Sequence, residues 1–426
     1  MKKVLIITYY WPPSGGAGVQ RWLKFVKYLP SEGIEPIVLT VDPHFAAYPV
    51  IDKSFGKDIQ SELKVYRTQA TDYYKFYSIF QKGKKAPQGG IPSVQKSFKS
   101  KLSLALRNHL FVPDPRIGWN KYAFKKAEDI IRVEGVEIVI TTSPPHSTQL
   151  IGVALKKKYP NLKWIADLRD PWTDIYYYKD LNHSIWSDKQ NRKKEKLVLQ
   201  TADEIVVVSK GLKELFRNKG VEIQPEKIHV VSNGYDHDDF ALLSKATLKK
   251  STISYVGTIN DSYDISGFLK GLRKLSFENK GQISFQFVGQ LSADVEFEIK
   301  NSGLNSILQN KGYVEHAKAV EFIFSSDVLL LVIPKVEGNK GILTGKLFEY
   351  IATGNPILCI GPKDGDASKV ISEGGFGECF DYSDSEGIYL YLRRALIEKS
   401  IESSPIEQRE KYTRENLTKE LAKLIK

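Results

Sequence analysis

The sequence predicts an α/β protein made of two Rossmann-like, doubly wound domains in tandem. Three observations point there. Short apolar runs suited to buried parallel strands alternate with segments whose apolar residues recur at helical spacing. The alternation halts near residue 236 and starts afresh near residue 251. Glycines stand just after strands in both sets, at Gly15, Gly16 and Gly18, then at Gly257 and Gly289. In such sheets the carboxyl ends of the strands form the ligand crevice.

The totals agree with this fold class. A chain of 426 residues is long enough for two or three domains, and 42% hydrophobic with 26% charged residues is a globular composition. No apolar run approaches the roughly 18 residues that a membrane span needs. The apolar start is too short for a signal peptide. Cys359 and Cys379 are too few for a disulfide scaffold or a cysteine zinc site, so the expected compartment is the reduced cytoplasm. The histidines show no metal-binding spacing, and no metal cofactor is expected.

In chain order, the first strand is expected over residues 3–8. A loop with two prolines and three glycines fills 9–18, and a helix over 19–29 carries the stripe Trp22, Leu23, Val26, Leu29. The second strand covers 36–41. The loop departs from a dinucleotide fingerprint because Arg21 holds the third glycine position, although Asp42 ends the second strand where a ribose-binding acid would stand. Gly15, Gly16 and Gly18 still allow a ligand to approach the backbone closely. After a rigid turn over 112–119 come a helix over 120–133 and a strand over 136–141, which ends in Thr142-Ser-Pro-Pro-His146. A strand over 163–166 ends in Asp167-Leu-Arg-Asp-Pro-Trp172. His146, Arg169 and Asp170 therefore stand at strand carboxyl ends, on the rim of the first glycine loop. The same residues also suit a local hydrogen bond and an internal ion-pair cluster. A helix over 184–200 is strongly charged on its outside. Strands over 204–208 and 228–231 flank a helix over 210–218, and 237–250 reads as a linker.

Charge is uneven along the chain. Residues 1–236 hold 38 Lys and Arg against 24 Asp and Glu, a balance of +14, whereas the remainder balances at −2. Residues 71–113 concentrate this: eight Lys or Arg with one acid, Asp72, interleaved with Phe, Tyr and Leu. Such a stretch suits an anionic membrane surface, or equally a solvated insertion within 71–118. No helix-turn-helix, zinc-finger or RNA-binding-sheet signature accompanies it, so nucleic acid is not an expected partner.

The second set runs strand 252–256, helix 265–279, strand 283–288, helix 292–303, short strand 312–315, helix 320–325 and strand 328–333. A loop then leads to Gly341-Ile-Leu-Thr-Gly-Lys-Leu-Phe-Glu-Tyr-Ile-Ala-Thr-Gly-Asn-Pro356. Thr344 suits a helix N-cap, residues 346–353 a short helix, and Gly354 the left-handed residue that ends it. A helix start at the end of a parallel strand offers free N–H groups to phosphate. Glu349, a turn and a half further on, suits sugar hydroxyls. An amphipathic helix over 416–425 closes the chain.

With these pieces in order, the whole chain resembles the GT-B-fold glycosyltransferases of the family-four, retaining type. The resemblance rests on Pro-Pro-Ser-Gly-Gly-Ala-Gly-Val-Gln-Arg21, Thr142-Ser-Pro-Pro-His146, Asp167-Leu-Arg-Asp-Pro-Trp172, Ser232-Asn-Gly-Tyr-Asp236 and Gly345-Lys-Leu-Phe-Glu-Tyr-Ile-Ala-Thr-Gly-Asn-Pro-Ile357. It implies an acceptor-binding domain over 1–236 and a nucleotide-sugar-binding domain over 251–400 facing it across a cleft, with residues 401–426 crossing back as a helical segment. Glu349 matches the family glutamate that holds the ribose. Thr344, Gly345 and Lys346 would line the diphosphate, with Gly257, Thr258 and Gly289 at strand ends beside them. Tyr313 and Val314 match the backbone that reads the base. Gly16 would lie near the diphosphate and the transferred sugar, with Gly15, Gly18, Arg21 and Arg169 on the acceptor side. His146 and Asp170 would orient acceptor or sugar, and the acceptor would be a saccharide or a lipid-linked molecule, as in cell-surface polysaccharide or glycolipid synthesis. Two departures stand out: Gly341 occupies the position of the family's first glutamate, and residues 257–264 lack the usual Arg and Lys. The diphosphate would then rely on Lys346, the helix start and Arg21. A GT-B-fold nucleotide-sugar epimerase and a non-catalytic nucleotide-sugar-binding protein remain open as other readings.

Overall fold

The computed structural model describes residues 1–71, 109, 111–220, 223–241, 243 and 249–426. The basic stretch 71–113 thus lies almost wholly outside the described residues. The chain divides into two units, Met1–Ser232 with Thr418–Lys426, and Asn233–Leu417.

The first unit is built on a parallel sheet of seven strands: β1 (Lys2–Ile7), β2 (Ile34–Val41), β3 (Lys64–Thr68), β4 (Ile138–Ser143), β5 (Lys163–Leu168), β6 (Glu204–Val207) and β7 (Ile228–Val230). Their order is β3-β2-β1-β4-β5-β6-β7. β1 pairs with β2 on one side and β4 on the other. The winding reverses there, which opens a crevice at the carboxyl ends of β1 and β4. Buried Leu5, Ile7, Leu39 and Val139 pack on one group of helices, and Trp164, Ala166 and Val207 on another. β3 escapes sequence reading because it is an edge strand with half-exposed side chains, so it lacks the apolar run of a central strand.

One buried carboxylate connects four parts of this unit. Asp167, near the end of β5, forms an ion pair with Arg21 at 3.1 Å, the two side chains being 0% and 1% exposed. Trp22 Nε1 and Thr142 Oγ1 each donate to its other oxygen at 2.7 Å. Arg21 also donates to the carbonyls of Val231 and Ser232 at 2.8 Å. The helix Ala17–Tyr28, β4, β5 and the chain after β7 are thereby joined. At the end of the chain, Lys2 and Lys163 donate to the carbonyls of Lys426 and Leu424 at 2.7 Å, cations meeting the carboxyl end of the helix Arg414–Ile425.

The second unit carries a six-stranded parallel sheet: β8 (Ser251–Ile259), β9 (Ile283–Leu291), β10 (Leu308–Asn310), β11 (Val328–Val332), β12 (Ile357–Ile360) and β13 (Gly377–Phe380). The order is β10-β9-β8-β11-β12-β13. Here β8 lies between β9 and β11, and the same reversal occurs. The strand expected over 312–315 is not there; it lies earlier, at β10. Gly312 adopts a left-handed φ of 67° and turns the chain toward the helix His316–Ser325, which starts a turn earlier than expected. β11 and β12 are wholly buried, as expected for central parallel strands.

Removing one partner of a buried ion pair strands the other charge. Asp167→Ala is therefore expected to cost about 3–5 kcal/mol. Urea unfolding of the variant beside the wild type checks this, and an unchanged midpoint would rule it out.

Candidate functional site

In the second unit, the carboxyl ends of β8 and β9 set the geometry. Gly257 and Gly289 are register partners, with φ of 131° and 140°. A Cβ on Gly289 would sit 1.9 Å from the Gly257 carbonyl oxygen, and one on Gly257 would sit 2.7 Å from Lys346 Nζ. Both positions therefore demand glycine, for close packing as well as for backbone freedom. Beside them the helix Gly345–Thr353 begins. Lys346 Nζ donates to Tyr255 Oη at 2.7 Å and lies 4.4 Å from the centre of the same ring. The Tyr255 hydroxyl donates in turn to the Thr258 carbonyl at 2.9 Å. Burial pulls the Lys346 pKa down to about 8, with the Glu349 charge partly offsetting it. The ammonium thus stays protonated near neutral pH, in a setting where its charge is poorly hydrated.

Glu349 lies one turn along the same helix. His316 Nε2 is 3.9 Å from its Oε1. The neighbouring Tyr350 accepts a hydrogen bond from the Val256 N–H at 3.1 Å, so Tyr255 and Tyr350 fix the start of this helix against β8. Thr344 has the extended backbone of an N-cap, but its side chain makes no capping bond, and its Oγ1 is buried with no hydrogen-bond partner. The capping expectation for Thr344 is corrected on this point: the hydroxyl is left for something else. The first N–H groups of the helix are likewise uncapped by that side chain. Tyr313 is 69% exposed, and Val314 packs against the core. They follow Gly312, whose carbonyl accepts the Gly289 N–H at 2.8 Å.

In the first unit the structure sorts the expected residues into two sets. Gly16, with φ of 89°, precedes the helix Ala17–Tyr28, and a Cβ there would meet nothing within 4 Å. Gly18 offers its carbonyl to Arg169 Nη1 at 3.2 Å. Arg169 also donates to the carbonyls of Ser143 at 3.0 Å and Pro144 at 3.3 Å. It thereby clamps the glycine loop to the end of β4. Among the described residues it forms no salt bridge to a carboxylate, and its charge acts on the neighbouring Asp170. Asp170 follows, half-buried, and burial raises its pKa, an effect that Arg169 opposes. His146 stacks on Trp172 at 4.8 Å with the rings 12° apart. Its Nδ1 is buried without a hydrogen-bond partner. Burial, with Lys219 and Arg169 nearby, pushes its pKa down to about 3. Gly16, Gly18, Arg169, Asp170 and His146 therefore share one neighbourhood.

Gly15 and Arg21 do not join them. A Cβ on Gly15 would press on Asp52 and Val50 at 3.0 Å, so this glycine serves loop packing. Arg21, expected to help hold the diphosphate on the acceptor side, is the buried partner of Asp167. That assignment is corrected, because its guanidinium is enclosed and bound to protein oxygens. Sequence reasoning also missed Tyr255, His316 and Trp172. Each acts through a contact distant in sequence. Among the described residues, no group of three His, Cys, Asp or Glu side chains could hold a metal ion.

Comparison with known proteins shows similarity in a segment of the sequence and in the fold. Residues 90–239, which include His146, Arg169 and Asp170, match the family model described as Glycosyltransferase Family 4. The whole chain is similar in structure to sucrose-phosphate synthase from Thermosynechococcus elongatus, with a TM-score of 0.61 at 15% identity, covering 100% of this chain and 98% of the other. The fold is GT-B. A second GT-B similarity is to HepE from Anabaena in complex with UDP-glucose, with a TM-score of 0.62 at 11% identity and 99% of both chains covered. A third is to a glycosyltransferase from Rickettsia africae, with a TM-score of 0.58 at 16% identity, covering 100% and 98%. No curated protein matches the chain in sequence.

The depressed pKa of His146 gives a pH dependence. In the folded protein the ring stays neutral down to about pH 3, whereas an unfolded histidine protonates near 6.5. Its stabilising contribution is complete above pH 6.5 and is lost as pH falls toward 3. The His146 ring resonances, assigned by comparison with His146→Gln, are expected not to shift between pH 5 and 8. A midpoint inside that range would contradict the burial argument.

Proposed function

We propose that this glycosyltransferase moves a sugar from a nucleotide-sugar donor to an acceptor hydroxyl and retains the anomeric configuration. The observation that carries the proposal is the joint placement of Lys346 and Glu349 on one short helix, over paired glycines at the carboxyl end of β8. A leaving diphosphate needs positive charge that is already in place when its bond to the sugar breaks. Lys346 and the N–H groups at the helix start supply it, so the proposal requires no metal. Thr344 Oγ1, buried and unpartnered, is placed to bond a phosphate oxygen. Glu349 takes the ribose hydroxyls, and the backbone at Tyr313 and Val314 takes the base. UDP-glucose, held by HepE of the same fold, is the first donor to try.

On the acceptor side, Gly16 leaves room for a sugar to approach the backbone. His146, neutral at physiological pH, and Asp170 orient hydroxyls; neither acts as a nucleophile. Arg169, held by three carbonyls, contributes positive charge beside them. The acceptor is a saccharide or a lipid-linked molecule in cell-surface polysaccharide synthesis, and the enzyme works at the inner face of the cell membrane, drawn there by its basic amino-terminal half. Among the described residues no helix is long and apolar enough to cross a membrane, and the placement proposed is a peripheral one.

Two measurements test the donor site. Glu349→Ala, losing hydrogen bonds to a charged group, is expected to weaken donor binding by about ten- to a hundredfold; equal turnover in variant and wild type would remove the central claim. Lys346 must be charged to meet the diphosphate, and a bound diphosphate raises its pKa. Donor affinity should therefore fall as pH rises through about 8. Binding at pH 8 should take up protons, seen as a dependence of calorimetric heat on the buffer, and Lys346→Gln should abolish that uptake.

A further inference from the structure

The helix Ile185–Thr201 has an outward face that the sugar-transfer site does not use. Ile185 is 92% exposed and Trp186 52%, and Leu197 near the other end is exposed as well. Between them Lys189, Arg192, Lys193 and Lys196 are also exposed. Both acids of the helix already have partners. Asp188 takes up Arg192 of the same face at 2.9 Å and accepts from Tyr178 at 3.1 Å. Glu195 is buried against Lys219 and Thr173. Lys189, Lys193 and Lys196 have no ion-pair partner among the described residues. Ser184 caps the helix by accepting the Ser187 N–H at 3.1 Å, and the ring of His109 packs against Trp186 at 5.1 Å. The beginning of the helix, with its two large apolar side chains, is therefore held in place rather than frayed.

Adjacent exposed apolar side chains rimmed by polar residues are a feature of interaction surfaces. A face with tryptophan and aliphatic residues at one end and unpaired lysines along its length fits one kind of surface. Tryptophan settles at the headgroup level, aliphatic side chains reach the acyl boundary, and lysines meet lipid phosphates. We propose that the outward face of Ile185–Thr201 docks on an anionic bilayer, with Ile185 and Trp186 inserted and Lys189, Lys193 and Lys196 on the headgroups. The docking surface is thus a built, helical one, with His109 packed at its beginning. This rests on the peripheral-membrane reading above and gives it a location.

The test uses the full-length chain, sedimented with phosphatidylcholine vesicles that contain or lack phosphatidylglycerol. Wild type is expected to bind the anionic vesicles at low salt and to leave them at high salt. Ile185→Ser with Trp186→Ser should weaken binding at least about tenfold. Lys189→Gln with Lys193→Gln and Lys196→Gln should weaken it about a hundredfold at low salt, at about fivefold per charge. Donor turnover in solution should be unchanged in both variants, since neither touches the sugar-transfer site. If wild type stays in the supernatant at low salt, the peripheral reading and this surface fall together, while sugar transfer stands or falls on its own assay. If wild type binds and both variants bind equally well, this surface alone is overturned. A wild-type dimer that the Ile185 and Trp186 changes dissociate, without vesicle binding, would assign the face to a second copy of the chain and overturn the proposal.

Discussion

The first unit depends on the environment of Asp167. A carboxylate with no exposure is tolerated only when its charge is met and its oxygens are hydrogen-bonded. Arg21, Trp22 and Thr142 do this from two different elements, and Arg21 extends the bonding to the chain beyond β7. Once this network forms, the first helix has one orientation over β4 and β5. The loop before that helix then lies beside the loops after β4 and β5, and Arg169 can reach Gly18, Ser143 and Pro144 together. The neighbourhood of Gly16, His146 and Asp170 follows from a buried interaction that itself touches no ligand.

The second unit positions its short helix by close packing at paired glycines. Gly257 and Gly289 bring β8 and β9 so close at their carboxyl ends that no side chain fits between them. The space above Gly257 is taken by Lys346, which rests on the Tyr255 ring and hydroxyl. Tyr350 holds the same helix from its other side through the Val256 N–H. Lysine, glutamate and the helix start are thereby presented as one rigid group. Such preorganisation matters because donors that must reorient during reaction stabilise developing charge less well. With no Arg or Lys over 257–264, the proposed donor site has Lys346 as its cation.

Much of this was legible in the chain itself. Strand and helix periods, glycines at strand ends and the order of five motifs sufficed for two Rossmann-like sheets and for His146, Asp170, Lys346 and Glu349 as candidates. Arg21 was misplaced because an arginine after a glycine loop looks the same whether it faces a phosphate or a buried acid. Its partner lies 146 residues away. β3 was missed because edge strands lack the apolar run that marks central ones. The strand expected over 312–315 lies at β10 instead, because Gly312 turns the chain there. Tyr255 looked like any core tyrosine until the lysine of a distant helix was found against its ring.

The sequence by itself determined most of the central elements, the tandem repetition of the fold and the residue types at their strand ends. These are local matters: hydrophobic period, backbone freedom at glycine and the capping of helix ends all act within a few residues. Tertiary structure decided which charges are enclosed and which remain available. Arg21, in the helix after the glycine loop, is neutralised inside the fold by Asp167, whereas Arg169, just after β5, is held by backbone carbonyls. Thr344, Lys346 and His146 likewise acquire their unpaired hydroxyl, lowered ammonium pKa and neutral ring from burial among distant neighbours. Desolvation depends on everything that packs around a group, and the order of residues along the chain does not specify that surrounding.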